Sequence, residues 1–189
     1  MRSSSMPKRR LGVALLVPPP VDAEVDGLRR ALGDPALGRI PAHLTLVPPV
    51  NVREDRMDDA LGVLRQASAV VEPFALELGP VATFAPVNPV LYLDVGGGAG
   101  AVHTLRDAVF TDPLSRPLTW PFVPHVTVAD EAPPDRIEAA VVALAPYRVT
   151  VDIDRVHLLE EGPGRVWRPI AEQPLGMYTR PSRAVRRLL

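Results

Sequence analysis

Residues 43–46 read His-Leu-Thr-Leu, and residues 125–128 read His-Val-Thr-Val. On a β-strand, side chains i and i+2 share one face while i+1 and i+3 share the other. Each tetrapeptide therefore sets an imidazole and a hydroxyl side by side and turns two aliphatic side chains into a core. Two such strands brought together make a site with two acid/base groups and two hydroxyl donors. The remaining histidines, His103 and His157, lack Thr two residues on and act as internal controls.

Outward from each motif the same order of elements recurs. The first half predicts a strand at Leu11–Val17 and a helix over Asp22–Leu32, with Val21, Val25, Leu28 and Leu32 on one side. The His43 strand, a helix over Glu54–Val71 and a strand at Phe74–Leu78 complete it. The second half predicts a strand at Val90–Val95, a helix over Ala101–Phe110, the His125 strand, a helix over Asp135–Leu144 and a strand at Tyr147–Ile153. Leu11 and Leu91 are 80 positions apart, as are Met57 and Ile137, against 82 for the two histidines. That near-constant offset predicts an internal structural repeat. Asp154–Ile170 predicts a hairpin turning at Gly162-Pro163-Gly164, and Asp112–Pro124 a Pro-rich loop leading to the second motif. The expected organisation is one domain over residues 10–176, with lobes at about 10–80 and 81–176 that exchange some strands. Residues 1–9 and 180–189 are expected to be basic, mobile tails.

Composition narrows the class. The chain has 189 residues, 47% of them apolar and 5% aromatic, enough for a core of Val, Leu and Ala. Its net charge is −1, but eight of its 21 basic residues lie in the two end segments, leaving 13 against 22 acids in residues 11–179, a balance of −9. So acidic a body argues against a long nucleic acid, which rewards basic stripes, while a nucleotide or an RNA end remains compatible. Without Cys there is no thiol nucleophile and no disulfide, which suits a cytoplasmic setting. Lys8-Arg9-Arg10 ahead of Leu11–Val17 superficially resembles a signal peptide, but Pro18-Pro19-Pro20 cuts the apolar run short, so it reads as a buried first strand. No stretch approaches the ~20 apolar residues of a membrane span.

Histidine is suited to proton transfer near neutrality, and a pair can divide the work, one taking a proton while the other gives one. His43 and His125 are thus the candidate catalytic residues. Thr45 and Thr127 are candidate phosphate-binding groups, since hydroxyls on that face can donate to the non-bridging oxygens of a phosphoryl group. No His-x-His, His-Glu-x-x-His or Asp-x-Asp cluster accompanies them, so chemistry without a metal is expected. Gly96-Gly97-Gly98-Ala99-Gly100 matches neither a dinucleotide nor a P-loop fingerprint and reads as a flexible connector. Trp120 and Phe122, just ahead of the second motif, are candidates for stacking on a base. His157 and Arg155 read as solvated strand residues.

The segments Ile40-Pro41-Ala42-His43-Leu44-Thr45-Leu46 and Pro121-Phe122-Val123-Pro124-His125-Val126-Thr127-Val128, with the closing run Val156–Leu159 and Gly164–Trp167, resemble the two-histidine (2H) phosphoesterase superfamily, in its 2′-5′ RNA ligase/cyclic phosphodiesterase branch. The resemblance implies a bilobal α+β fold: two antiparallel sheets facing a central groove, helices outside, related by a pseudo-twofold. It implies hydrolysis of 2′,3′-cyclic phosphates on a nucleotide or RNA end, with no metal or other cofactor. His43 with Thr45 and His125 with Thr127 match its two motifs. His125 as base and His43 as acid is the first assignment. One departure stands out, because relatives often carry a basic residue shortly after the second motif and this chain has Ala129-Asp130. The alternatives are a module that binds a nucleotide or phosphorylated metabolite without turnover, and an RNA end-joining or processing factor that uses its basic tails.

Overall fold

The computed structural model describes residues 6–176. Eight strands and four α-helices make an α+β fold: β1 (Lys8–Leu16), α1 (Val21–Leu32), β2 (His43–Arg53), α2 (Met57–Ser68), β3 (Phe74–Thr83), β4 (Leu91–Val95), α3 (Ala99–Val109), β5 (His125–Ala129), α4 (Pro134–Ala143), β6 (Val149–Ile153), β7 (Arg155–Gly162) and β8 (Val166–Pro174). Every helix and strand read from periodicity is present, with ends shifted by a few residues. The helix expected over Glu54–Val71 is divided. A 3₁₀ turn covers Glu54–Arg56, and the α-helix begins only after Arg56, whose φ and ψ (−107°, 9°) are not helical.

The strands form one antiparallel sheet in the order β6-β3-β4-β5-β2-β1-β7-β8. The expectation of two separate sheets is corrected at the centre, where β2 and β5 are joined by the single pair Leu44 with Val126. The expected exchange of strands involves β3 and β7: β3 pairs with β4 and β6, while β7 returns from the end of the chain to pair with β1. The helices interlock the halves further, because α1 packs on β5 and α3 on β2.

Alternation holds across the two motif tetrapeptides, His43–Leu46 and His125–Val128. Leu44, Leu46, Val126 and Val128 are at most 1% exposed and join Val25, Leu64, Val102, Leu105 and Ile137 of the helices in one core. Burying each such aliphatic side chain contributes roughly 2 kcal/mol. His43, Thr45, His125 and Thr127 face the other way and are half-buried. The core thus fixes which face carries the polar pairs.

The N-terminal expectation also changes. β1 begins at Lys8, and Arg9 makes two 2.6 Å bonds to Glu160 while Arg10 meets Glu161 at 2.6 Å. Those cations are strand residues neutralised by β7, so part of the 1–9 segment is structural. The expected tail at 180–189 lies outside the described residues. The glycine run is not a loose connector either. Gly96 N–H donates to the Glu77 carbonyl, Glu77 N–H donates to the Gly97 carbonyl, and Gly98 turns into α3 with φ 87°. A Cβ on Gly98 would lie 2.4 Å from the Ala75 carbonyl oxygen, so only glycine fits. No described helix is long and apolar enough to cross a membrane.

Candidate active site

Both motif histidines are held by the same local device. The His43 Nδ1–H donates to the Pro41 carbonyl at 2.7 Å, and the His125 Nδ1–H donates to the Val123 carbonyl at 2.7 Å. A carbonyl oxygen can only accept, so Nδ1 carries the proton and Nε2 is the nitrogen left for chemistry. In each case the acceptor lies two residues upstream, where Pro41 and the Val123-Pro124 pair keep the approach extended. Beyond the Leu44–Val126 bridge, antiparallel counting sets His43 toward Thr127 and Thr45 toward His125 on the same face. Sequence reasoning paired each His with the Thr two residues on; strand pairing adds the cross-strand neighbours.

The surroundings of the two imidazoles differ. His43 and Thr45 line a cavity of about 120 Å³ with Ile40, Val47, Leu159 and Trp167. His125 and Thr127 line one of about 530 Å³ with Phe84, Asn88, Trp120 and Asp130. The His125 ring meets Phe84 and Tyr92 edge-on, at centroid distances of 5.1 and 5.4 Å, and those two rings stack at 4.2 Å. Trp120 stands at the rim, 67% exposed. Phe122, expected beside it, turns to α3 instead. It lies 5.1 Å from the Arg106 guanidinium and edge-on to His103, which anchors the loop carrying Trp120 but removes Phe122 from the stacking surface.

Electrostatics separates the histidines further. Burial pushes His43 from 6.5 down to about 4, opposed by its bond to Pro41 and reinforced by the charges of Arg29 and His125. His125 is lowered as well, chiefly by burial, with the Val123 carbonyl opposing. Arg29 is a functional neighbour that sequence reading missed. It is 2% exposed, bonds Asp34 at 2.7 Å and Asp26 at 2.9 Å, and donates to the Ile40 carbonyl at 2.9 Å. It therefore braces the loop that delivers His43. One signal was available, since Arg29 follows Val25 by four residues and so falls on the buried side of α1.

His157 is not a solvated strand residue. It is 7% exposed, lies beside Ala14 in the row that runs from Thr45 to Glu172, and holds Nε2 3.6 Å from a Glu172 carboxylate oxygen. Among the described residues no three His, Cys, Asp or Glu side chains gather in a way that could hold a metal ion. No Lys or Arg lines either of the two cavities at the motifs. The arrangement can accept and donate a proton at two Nε2 atoms and donate two hydroxyl hydrogen bonds between them.

The model of the 2′-5′ RNA ligase superfamily matches residues 17–165, which spans both motifs. The chain belongs to that superfamily. Among curated relatives, a Bacillus pumilus protein named "Putative phosphoesterase" is 30% identical over 136 residues, covering 71% of this chain and 79% of the relative. A Bacillus cytotoxicus protein of the same description is 28% identical over 161 residues, covering 84% and 92%. Solved structures share the fold. Thermus thermophilus TT0787 superposes with a TM-score of 0.62 at 21% identity, covering 88% of this chain and 98% of that one. Escherichia coli LigT complexed with 3′-AMP gives a TM-score of 0.60 at 16% identity, covering 89% and 99%.

Proposed function

We propose that this chain is a phosphodiesterase that opens 2′,3′-cyclic phosphates, with His43 as general base and His125 as general acid. The observation that carries the reading is the pair of Nδ1-anchored imidazoles, flanked by hydroxyls at one seam of the sheet, with a far larger space lined by His125 than by His43. Ligand pockets usually begin near ~300 Å³. The 530 Å³ cavity at His125 suits a nucleoside, and the 120 Å³ cavity at His43 suits water. In-line displacement puts the attacking and departing oxygens on opposite sides of phosphorus. Water then enters beside His43, and the ribose oxygen leaves beside His125.

Each step balances. Neutral His43 Nε2 takes a proton from water as its oxygen bonds to phosphorus. The ribose–phosphorus bond breaks, and protonated His125 Nε2 supplies the proton that completes the hydroxyl. Thr45 and Thr127 donate to the non-bridging oxygens as charge builds there. The first assignment, with His125 as base, is thereby reversed. The lower pKa of His43 agrees with the reversal, because the group with the lower pKa is the one already free to accept. That LigT has been crystallised with 3′-AMP, a ribose phosphate of the proposed product class, supports the reading by analogy. The acidic body and the absence of Lys and Arg from both cavity linings favour a nucleotide or a short end over a long RNA strand.

The test is a turnover screen of 2′,3′-cyclic nucleotides in chelator with product identification. Expected is one monoester isomer from each substrate cleaved. No turnover, or turnover abolished by chelator, overturns the proposal. The kcat/KM profile should be a bell centred on the acid side of neutrality. Its rising limb near pH 4 follows loss of the His43 proton, and its falling limb, below 6.5, follows loss of the His125 proton.

A further inference from the structure

Resting on that reading, we infer that the His125-side cavity selects guanine and rejects additional phosphates, with Asp130 as the specificity-determining residue. Asp130 lines this cavity beside Trp120 and Asn88 and carries the lone formal charge in the lining while His125 is neutral. It follows β5 directly, where the chain bends after Ala129 and Glu131 takes a φ of 53°. Its Oδ1 accepts the Glu131 N–H at 3.0 Å, which fixes the carboxylate and leaves Oδ2 and one further lone pair able to accept.

A carboxylate at this rim has two consequences. It repels any second phosphate, and no Lys or Arg in the lining offsets it. It also asks the base for donors. On its Watson–Crick edge guanine alone offers two adjacent donors, N1–H and N2–H, which match a carboxylate in bidentate fashion. Adenine and cytosine each set one amino donor beside an acceptor, and uracil sets one N–H between two carbonyls. The platform is already present. Trp120, Val87 and Val123 are 67%, 69% and 39% exposed along this cavity, which leaves apolar surface for a base to cover.

The experiment measures kcat/KM for the four 2′,3′-cyclic mononucleotides with the wild type and Asp130→Asn. In parallel, equilibrium binding of the same four is measured on the His43→Ala/His125→Ala double variant, with and without Asp130→Asn. Expected is about a tenfold guanine preference in both measurements, lost in Asp130→Asn. Asp130→Lys should raise kcat/KM for a 5′-phosphorylated 2′,3′-cyclic nucleotide relative to its unphosphorylated parent. Equal handling of all four bases, or a preference that survives Asp130→Asn, overturns the inference. Turnover without base preference sinks this inference and leaves the phosphodiesterase reading intact. Guanine-selective binding without turnover does the reverse, and neither binding nor turnover sinks both.

Discussion

The two half-sites share a tetrapeptide, a strand position and a 2.7 Å bond from Nδ1 to a carbonyl two residues upstream, yet they differ in nearly everything around the ring. His43 sits against aliphatic walls and Trp167, with a buried Arg29–Asp34 ion pair behind its loop. His125 sits edge-on to two stacked aromatic rings at the mouth of a cavity more than four times larger. On the proposed reading, the duplicated motifs supply the catalytic groups, and the unduplicated surroundings divide the labour between them.

The largest expected effect comes from the imidazoles. His43→Ala and His125→Ala should each lower kcat by about 10²–10⁴-fold. A phosphodiester with a nitrophenolate leaving group sharpens the comparison, since it needs no proton on departure. It should restore most activity to His125→Ala and little to His43→Ala, and the opposite pattern would show that the roles are exchanged. Next comes the brace. Arg29→Ala strands Asp34, 1% exposed at its side chain, and should cost about 3–5 kcal/mol in urea unfolding, whereas Arg29→Met with Asp34→Leu should recover most of it. The guanidinium of Arg106 in the other half packs on Phe110 and Phe122, so Arg106→Met should cost less.

Thr45→Val and Thr127→Val keep the shape and remove the hydroxyl. Each should lower kcat about tenfold to a hundredfold with little change in stability, and equal losses would mean that both oxygens of the phosphoryl group are held. The smallest effect concerns acid stability. A histidine whose folded pKa of about 4 lies below its unfolded 6.5 contributes stability above pH 6.5 that is lost as pH falls toward 4. His43→Gln should flatten that decline, narrowing the difference between pH 7 and pH 5 by up to about 2 kcal/mol in urea titrations. An unchanged slope would show that His43 is more hydrated than its surroundings suggest.

What could be read from the sequence was what is local. The 2-residue alternation at His43–Leu46 and His125–Val128 and the 3–4 spacing in the four helices are each a property of a short segment, and they placed every element. Strand pairing is not local. Some exchange of strands was expected, but nothing in Phe74–Thr83 says that this strand is the one to lie between β4 and β6, and the single bridge at Leu44–Val126 depends on how both halves close. Arg29 and Asp34 look like surface charges until a fold buries them together. Phe122 and Trp120 are two residues apart, and only the contact of Phe122 with Arg106 decides that one faces α3 and the other the cavity.

Because Leu44 and Val126 alone lace β2 to β5, the gauge between the two reactive nitrogens is set from behind, by two side chains that never meet solvent. Adding or removing one methyl there is expected to shift the two strands about the bridge and, on the proposed reading, to widen or narrow the span across which a phosphorus atom is gripped. Substrate size in this architecture can thus be retuned without altering a single group that touches the substrate.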